Sequence, residues 1–428
     1  MLIQFSVENY RSIWGRQTLS MAASTYFKEL EQLNTFNTGL DEKMPRLLRS
    51  SVIYGPNASG KSTLVLALDF MRSHVINSAK ESQADEEIPI EPFKLTAVSR
   101  SSDSEFEISF IEEGIRYQYG FRCNKRRVTE EWLFAYPKGR PQKWFHRIFD
   151  QTNCKDEYRF STTFLGGRKR QDWKEQTRPN ALFLSTALLL NSEQLKPVLS
   201  WFQKRLRVVE AHQFLSPNYT MTRCRDDAKK QRVLEFLNSA GLSISDIQID
   251  TRTFSPDILP KDIPASVRDE LVQKMAGKEM MKAAFFHEDI ETREPIEFSL
   301  DEESDGTRAL FAFAGPWLDV VENERILIVD ELDTSLHPLI VHHLVKLLHC
   351  QTCKAQIVFT THDTTILSQR ILRRDQIWFM EKDAKNSSQL YPLSDYSPRD
   401  NEAIERGYLN GRYGGIPFLQ DLDFYGQG

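Results

Sequence analysis

Residues 55–62 have the sequence Gly55-Pro56-Asn57-Ala58-Ser59-Gly60-Lys61-Ser62, which matches the phosphate-loop pattern G-x-x-x-x-G-K-[ST]. The apolar run at residues 51–54 predicts a strand before the loop, and a helix is predicted from Lys61 to about Asn77. This strand–loop–helix order is the context that a phosphate-binding loop requires. The glycines let the backbone wrap so that its N–H groups face phosphate oxygens, and the helix N-terminus adds a positive dipole end. A glycine-rich turn without a ligand is the structural alternative.

The loop supplies the first candidate residues of a nucleotide site. Lys61 is placed to reach the β- and γ-phosphates, and the Ser62 hydroxyl is placed to bind Mg²⁺. The other candidate nucleotide-binding residues of the loop and first helical turn are Gly55, Pro56, Asn57, Ala58, Ser59, Gly60 and Thr63. The loop therefore predicts a bound nucleotide with Mg²⁺.

A second motif, far along the chain, carries two carboxylates. Residues 326–331 (ILIVDE) predict a buried strand that ends in Asp330 and Glu331. Such an acid lies beside the phosphate loop in a parallel α/β sheet, so Asp330 is expected to hold Mg²⁺ directly or through water. Glu331 points in a different direction and is the candidate general base that polarises an attacking water. The next predicted strand ends in His362, a candidate sensor of the γ-phosphate, although a histidine at a strand end is often structural.

The composition is that of a folded protein. The 428 residues are 40% hydrophobic and 27% charged, with a mean hydropathy of −0.47, and predict one to three structural units. No apolar run reaches the ~18 residues that a membrane span needs, and no secretory signal is visible. Five cysteines, an odd number, argue against a disulfide framework. A cytoplasmic protein without a membrane partner is therefore expected.

Strand and helix patterns divide the chain into four predicted regions. Residues 1–80 form the N-terminal part of an α/β head, and residues 81–180 form a β lobe in which the alternating runs EFEISFI and IRYQYGF predict a hairpin. Residues 181–290 are predicted as a mainly helical insertion. Residues 291–428 complete the head, because their strand–helix–strand order predicts a parallel sheet. The expected fold class is α/β, a P-loop NTPase head with a mixed or parallel sheet and two lobes.

The net charge of −5 conceals a basic region. Residues 116–178 contain 16 Lys or Arg and 7 Asp or Glu. Such an excess is typical of a surface that binds nucleic acid or an acidic partner. The aromatic residues of this region that could stack on bases are Trp132, Phe134, Tyr136, Trp144 and Phe145. The alternative is a solvated β lobe with these aromatic residues in its core, and the sequence leaves both interpretations open.

Several motifs together resemble the ABC-type ATPase head of SMC-like DNA-repair proteins. The likeness is carried by FSVENYRSI at residues 5–13, the signature-like ESDGTR at 303–308, the D-loop-like LDTSLHP at 332–338, the switch motif THD at 361–363 and YLNGRYGGIP at 408–417. The chain most resembles the stand-alone ATPases of bacterial phage-defence and restriction-linked operons, the RloA-like and OLD-related group. The likeness covers most of the chain and is looser in the middle.

This resemblance implies a dimer, or a higher homo-oligomer, that closes around nucleotide. Two heads would sandwich two ATP molecules, with Ser304 and Gly306 of each head contacting the γ-phosphate bound to the other. The resemblance adds Asp333 and Arg11 as further nucleotide contacts. Hydrolysis would loosen the dimer, and the implied purpose is a sensing or gating ATPase in antiphage defence that controls a separate effector, such as a nuclease.

Two departures from the family pattern are visible. No glutamine is assignable to the Q-loop, for which Gln118 in a predicted strand is only a guess. The insertion between the phosphate loop and the signature is too short, and too rich in proline and strand patterns, for a long coiled-coil arm. The second departure argues against SMC-style tethering of DNA.

Two other functions stay open: a DNA-repair or recombination ATPase that clamps DNA directly, and a single-chain toxin nuclease regulated by ATP. The nuclease candidates are the R-x₄-H spacing from Arg207 to His212 and the D-x-D pattern at residues 421–423. Both patterns are more typical of structural residues and a solvated tail. Cys350 and Cys353 follow three histidines at zinc-like spacing, but a second cysteine pair is missing.

Overall fold

The computed structural model describes residues 1–40, 44–81, 83, 85–209, 216–256, 264–277, 279–334, 336–368, 371–396 and 403–416. The chain divides into two compact units. Unit 1 comprises Met1–His212, Asn323–Thr334 and Val341–Gly428, and unit 2 comprises Gln213–Glu322 and Ser335–Ile340. The phosphate loop and the carboxylate strand both belong to unit 1, whereas the signature-like motif belongs to unit 2.

The secondary structure alternates between strands and mostly short helices. The strands are β1 (Leu2–Glu8), β2 (Gln17–Ser20), β3 (Thr35–Phe36), β4 (Leu47–Leu48), β5 (Ser50–Tyr54), β6 (Ser104–Glu112), β7 (Ile115–Cys123), β8 (Val128–Tyr136), β9 (Gln142–Asp150), β10 (Lys155–Phe160), β11 (Leu206–Val209), β12 (Asp246–Thr253), β13 (Glu279–Glu288), β14 (Pro295–Ser299), β15 (Ile326–Val329), β16 (Gln356–Thr360), β17 (Ile377–Lys382) and β18 (Ser388–Pro392). The α-helices are α1 (Glu31–Asn34), α2 (Lys61–Asn77), α3 (Ala97–Ser101), α4 (Lys169–Gln176), α5 (Phe183–Leu189), α6 (Lys196–Ser200), α7 (Asn218–Cys224), α8 (Asp227–Ser239), α9 (Ala265–Met275), α10 (Asp305–Glu322), α11 (Pro338–Leu348), α12 (Thr365–Ser368) and α13 (Ile404–Leu409). Within the described residues, none of these helices is long and apolar enough to cross a membrane.

The first sheet of unit 1 has six strands in the order β11–β15–β16–β5–β17–β18. The first five strands run parallel, and β18 pairs antiparallel with β17. The predicted helix after the loop and the predicted order β15–α11–β16 are confirmed. Because β5, β15 and β16 are parallel, their carboxyl ends meet at one edge of the sheet. That edge brings together the phosphate loop, Asp330 and His362.

The second sheet of unit 1 has seven antiparallel strands in the order β10–β9–β8–β7–β6–β1–β2. The predicted hairpin is confirmed as β6 and β7. Alternation along the strands buries Phe106, Tyr119, Phe121 and Phe145 in one core. Helix α2 packs against this core, where the Phe70 and Phe106 ring centroids are 5.0 Å apart. Helix α2 therefore begins at the phosphate loop, beside the first sheet, and packs against the core of the second sheet.

Unit 2 combines helices with the three-stranded antiparallel sheet β12–β13–β14. The sequence pattern predicts a mainly helical insertion over residues 181–290. The structure differs from that expectation at β11, which pairs with β15 in unit 1, and at β12 and β13. The alternation of β12 (DIQIDTRT) places Ile247 in the core, and the Phe285 ring of β13 packs on Phe311 of α10 at 5.0 Å. The strand β13 packs against α10, which lies further along the chain. A local sequence pattern does not show this contact.

His74 is a buried histidine on α2 with an apolar environment. Its ring stacks on Phe70 at 5.5 Å, and its Nε2 atom has no hydrogen-bond partner in the described part of the chain. Burial lowers the pKa of His74 to about 4, from about 6.5 in an unfolded chain. The folded state therefore favours the neutral ring. As the pH falls from about 6.5 towards 4, the unfolded chain binds the proton first, and stability is lost.

We expect His74→Leu to lose less stability in acid than the wild-type chain. Between about pH 7.5 and about pH 5, the fall in the free energy of unfolding should be about 2 kcal/mol smaller for the variant than for the wild type. The reason is that leucine removes the proton uptake of the unfolded state at this position. Urea unfolding midpoints of both proteins at the two pH values measure this effect. The exposed His337 provides a matched control, and His337→Gln should follow the wild type. Equal acid sensitivity of His74→Leu and wild type would contradict a buried neutral imidazole.

Candidate nucleotide-binding site

The phosphate loop joins β5 to α2 and depends on two glycines. Gly60 is the N-cap of α2 and has a φ of +113°, in the left-handed region that favours glycine. A Cβ atom at Gly60 would overlap Ser388 Oγ, and a Cβ atom at Gly55 would overlap the carbonyl oxygen of Met380. The β17–β18 hairpin therefore packs so closely against the loop that glycine is required at both positions.

Lys61 begins α2, and its side chain is buried. Its Nζ atom donates hydrogen bonds to the carbonyl oxygens of Gly55 at 2.8 Å and Pro56 at 3.2 Å, and lies 3.2 Å from His362 Nε2. Burial lowers the pKa of Lys61, and three carboxylates that follow β15 oppose this shift. The ammonium group is thus held by neutral acceptors that a phosphate group can replace.

Asp330 and Glu331 follow β15, and Thr360 at the end of β16 holds both. The Thr360 hydroxyl donates to Asp330 Oδ1 at 2.6 Å and accepts from the backbone N–H of Glu331 at 2.7 Å. Glu331 has a φ of +53°, so the backbone turns sharply at the second carboxylate. One oxygen of the 5%-exposed Asp330 is engaged by Thr360, which leaves the other for a ligand. A carboxylate together with the Ser62 hydroxyl is a donor set that suits Mg²⁺.

His362 follows β16 and lies between a cation and a carboxylate. Its backbone N–H donates to Asp333 Oδ2 at 3.3 Å, and its ring faces the Lys61 ammonium. Burial and the Lys61 charge lower the pKa of His362, and nearby carboxylates oppose this. Because Lys61 can only donate, it favours a neutral ring with Nε2 as acceptor. Asp333 Oδ1 is buried and has no hydrogen-bond partner among the described residues.

The remaining loop residues include exposed and buried groups. The exposed ones are Asn57, Ala58 and Ser62. Ser59 is only 1% exposed, and its hydroxyl has no hydrogen-bond partner in the described ranges. Thr63 Oγ1 accepts a hydrogen bond from Ser12 at 2.9 Å. An unpaired buried hydroxyl next to a loop at a helix N-terminus fits a phosphate ligand.

Arg11 lies in the turn that follows β1. The neighbouring Ser12 contacts Thr63 in the first turn of α2, so the structure brings this turn against the phosphate loop. Arg11 itself is exposed, and its backbone N–H donates to the Glu91 carbonyl oxygen at 2.7 Å. Its guanidinium carbon lies 5.7 Å from the Tyr10 ring centroid. The role of Arg11 as a phosphate contact stays a prediction.

Ser304 and Gly306 lie at the start of α10 in unit 2. The backbone N–H of Thr307 donates to Ser304 Oγ at 3.1 Å, so Ser304 caps this helix of 18 residues. Ser304 and Gly306 are both exposed. The helix N-terminus is therefore accessible to a second molecule, and the expected contact across a dimer stays a prediction.

Gln118 lies within β7 and is engaged by the antiparallel sheet. Its amide nitrogen donates to Glu107 Oε2 at 2.9 Å, and its amide oxygen accepts from the Tyr136 hydroxyl at 3.0 Å. These bonds give Gln118 a structural task in the β lobe.

The nuclease and zinc candidates gain little from the structure. Arg207 lies in β11, where its guanidinium donates to the Gln203 carbonyl oxygen at 2.6 Å. His212 and residues 421–423 lie outside the described residues. The five cysteines are free, and no group of three potential metal ligands occurs among the residues that the structure describes.

Many cations of residues 116–178 are engaged inside the β lobe. Arg147 is fully buried and pairs with Asp156 at 2.9 Å, and Arg127 pairs with the same carboxylate at 2.8 Å. Further cations lie over aromatic rings, namely Arg116 over Tyr136, Lys143 over Phe134, Arg170 over Phe160 and Lys174 over Tyr158. The aromatic candidates that prove to be buried are Trp132, Trp144 and Phe145. Part of the basic excess is therefore engaged within the lobe, whereas ten of the 16 cations are exposed.

Four residues that shape the site were not predicted from the sequence. Thr360 was visible as a polar residue at the end of an apolar run, which is the one local signal among them. Ser388 and Lys382 carry no motif, and Ser12 lies in the family-like segment 5–13 without an assigned role. The three residues meet beside the loop only through tertiary structure.

Comparisons with known proteins give low-identity structural relatives. One similar solved structure is an SMC head bound to the C-winged helix domain of ScpA, with 12% identity, coverage of 91% of this chain and 97% of that chain, and a TM-score of 0.40. A second is an SMC head domain from Thermotoga maritima, with 13% identity, coverage of 91% of this chain and 98% of that chain, and a TM-score of 0.38. A third is an Smc head domain with an extended coiled coil bound to the C-terminal domain of ScpA derived from Pyrococcus furiosus, with 10% identity, coverage of 92% of this chain and 97% of that chain, and a TM-score of 0.41. No curated protein matches the chain significantly. The predicted α/β fold class is confirmed by the strand order, with a mixed six-stranded sheet that carries the phosphate loop.

A family model matches residues 50–368, which is more than half of the chain. Its description is "AAA domain, putative AbiEii toxin, Type IV TA system". The matched residues include the phosphate loop, the carboxylate strand and His362. The chain therefore belongs to this family of AAA-domain, P-loop ATPases.

Proposed function

We propose that this chain hydrolyses ATP to ADP and phosphate in a Mg²⁺-dependent reaction. The observation that carries the proposal is the position of Lys61. Its buried ammonium lies 3.2 Å from His362 Nε2 and interacts electrostatically with three carboxylates. A phosphate-binding lysine, a metal-binding acid, a base and a phosphate sensor are thus grouped at one edge of the parallel sheet. This grouping is what phosphoryl transfer to water requires.

Each residue has a separate task in the proposed reaction. Lys61 exchanges its bonds to the loop carbonyls for bonds to phosphate oxygens, while Ser62 and Asp330 hold Mg²⁺. Glu331 orients the attacking water and accepts its proton. Once Lys61 has moved, His362 Nε2 is free to contact the γ-phosphate. Bound Mg²⁺ supplies neutralisation of the phosphate charge.

We further propose that ATP joins two copies of the chain. The exposed N-terminus of α10, capped by Ser304, offers a positive dipole end and the small residue Gly306 to a γ-phosphate bound by the other copy. Asp333, whose second oxygen is buried without a partner in the described chain, is a candidate contact in the same closed state. ATP would then be part of the dimer interface, and its hydrolysis would weaken that interface.

The biological purpose that we propose is the gating of a partner effector, such as a nuclease, in antiphage defence, as in the RloA-like and OLD-related group. The family description names a putative toxin of a type IV toxin–antitoxin system, and it supports a role in which this chain acts together with a second protein. The same description favours a second candidate, in which the chain itself is the toxin. A direct DNA clamp has less support, because the aromatic candidates Trp132, Trp144 and Phe145 are buried and part of the basic excess is bound within the β lobe.

Phosphate release and molecular mass together test the ATPase proposal. With ATP and Mg²⁺, the purified chain should release phosphate and form dimers in mass photometry. A chelator should abolish the release, and ADP should not support the dimer. A chain that binds no ATP and releases no phosphate would overturn the proposal.

The proposed partner requires a separate experiment in cells that carry the neighbouring genes. Glu331→Gln with ATP and Mg²⁺ should retain a stoichiometric nuclease-like protein, which mass spectrometry identifies. Growth arrest by the chain alone, lost in Lys61→Ala, would favour the toxin instead. A dimer that carries only nucleic acid, seen in the ultraviolet absorbance ratio, would favour the DNA clamp.

A further inference from the structure

Three hydroxyl groups and one lysine form a hydrogen-bonded chain beside the phosphate loop. The Ser12 hydroxyl donates to Thr63 Oγ1 at 2.9 Å and lies 2.8 Å from Ser388 Oγ. Lys382 Nζ donates to the same Ser388 hydroxyl at 3.0 Å. Lys382 ends β17, and Ser388 begins β18, so both residues belong to one hairpin.

This hairpin is hydrogen-bonded to the segment between β1 and β2, and it also lies against the loop. The backbone N–H of Ser388 donates to the Ser12 carbonyl oxygen at 2.8 Å, and the backbone N–H of Trp14 donates to Ser387 Oγ at 3.0 Å. The Ser388 hydroxyl occupies the space that a side chain at Gly60 would need. The Lys382 ammonium therefore donates to the Ser388 hydroxyl, which itself lies against the loop backbone at Gly60.

Lys382 is half-buried, and among the described residues its Nζ forms no ion pair. Burial lowers the pKa of Lys382, and the charge of the neighbouring Asp383 opposes this shift only in part. The N-terminus of α2, a helix of 17 residues, lies beside this group and carries a positive dipole end. A cation next to such a helix end is unfavourable unless an anion binds both.

Lys382 and Lys61 have separate hydrogen-bond partners. Lys61 faces His362 and the carboxylates that would surround the γ-phosphate. Lys382 instead reaches the loop through Ser388 and Ser12, at Thr63 in the first turn of α2. The charge of Lys382 is therefore available to the part of a nucleotide that lies away from the γ-phosphate.

We propose that Lys382 is a second phosphate-binding lysine of the nucleotide site, and that it binds the phosphate nearest the nucleoside. This inference rests on the proposed nucleotide-binding function. Ser388 and Ser12 act as positioning residues, since their hydroxyls hold the ammonium beside the loop. A phosphate shared by ATP and ADP is the target, so Lys382 contributes equally to the affinity of both nucleotides.

Nucleotide titration of Lys382→Gln tests this inference. Calorimetry with ATP and with ADP, both in Mg²⁺, should show dissociation constants raised about ten-fold for each, as expected for the loss of one charged hydrogen bond. Lys382→Arg keeps the charge and should stay close to the wild type. Lys385→Gln is the matched control, because Lys385 lies in the same hairpin with its Nζ over the Trp14 ring at 4.7 Å. It should bind both nucleotides as the wild type does.

The outcomes separate this inference from the proposed function. If the wild type binds neither nucleotide, the proposed function is wrong and the role of Lys382 falls with it. If the wild type binds both and Lys382→Gln binds equally well, or loses affinity for ATP alone, the role of Lys382 is wrong and the proposed function stands. Should Lys382→Gln lower the melting temperature, Ser388→Ala replaces it, because loss of the positioning hydroxyl should weaken both nucleotides by the same factor.

Discussion

Replacement of Glu331 by glutamine is expected to leave ATP binding intact and to lower kcat about 10²- to 10⁴-fold, the usual contribution of a general base. Glutamine keeps the shape of the side chain and the backbone N–H bond to the Thr360 hydroxyl at 2.7 Å, but it cannot accept the proton of water. ATP should therefore bind and stay unhydrolysed, and the ATP-bound dimer should accumulate. Single-turnover phosphate release and mass photometry of the same sample measure both effects.

Glu130→Gln is the control for the change from carboxylate to amide. Glu130 accepts from His146 at 2.8 Å in the antiparallel sheet and has no assigned role in hydrolysis, so its variant should turn over as the wild type does. Near-normal turnover by Glu331→Gln would show that another group activates the water. Loss of ATP binding in that variant would instead assign Glu331 to nucleotide or metal binding.

The parts of the fold that the sequence predicts are those with local signals. The loop motif with its flanking patterns predicts a helix from Lys61 to about Asn77, and α2 has those bounds. The alternating runs of the β lobe predict the β6–β7 hairpin, which is present. A helical period or a strand alternation needs only neighbouring residues, so it is visible without the fold.

The contacts that complete the site depend on residues far apart in the chain. Ser12 and Ser388 are separated by 376 positions, yet their hydroxyls lie 2.8 Å apart. Thr360 reaches Asp330 because β15 and β16 pair in a register that places Val329 beside Phe359. Ser12, Ser388 and Thr360 belong to no periodic pattern that would predict these contacts. The contacts follow from the order and register of the strands, which the sequence pattern does not specify.

Charge counts meet a similar limit in the β lobe. The excess of cations in residues 116–178 is visible in the sequence, but the burial of each cation is not. Arg147 is 0% exposed and bonds to Asp156 and to the Ala181 carbonyl oxygen, and it therefore belongs to the core. A guanidinium that is buried and bonded inside the lobe is not available to a ligand, whereas the same residue in a charge count contributes to a predicted nucleic-acid surface.

Lys61→Ala is expected to abolish measurable ATP binding, with a loss of about 10²- to 10³-fold in affinity, because the phosphates lose a buried charged donor. Calorimetry with ATP and Mg²⁺ measures this effect. Lys80→Ala, at the exposed end beyond α2, is the matched control and should bind ATP normally. Normal ATP affinity of Lys61→Ala would remove the central residue of the proposed site.

The same variant has a second consequence that requires no nucleotide. The Lys61 charge, together with burial, lowers the pKa of His362, so its removal should raise that pKa in the nucleotide-free protein. An NMR titration of the His362 ring, assigned by its loss in His362→Gln, measures the shift. An upward shift with no ATP binding would mean that Lys61 holds His362 neutral before ATP arrives and releases it when phosphate takes the ammonium. An unchanged pKa would mean that the 3.2 Å contact does not persist in solution, and the sensing role of His362 would then need another trigger.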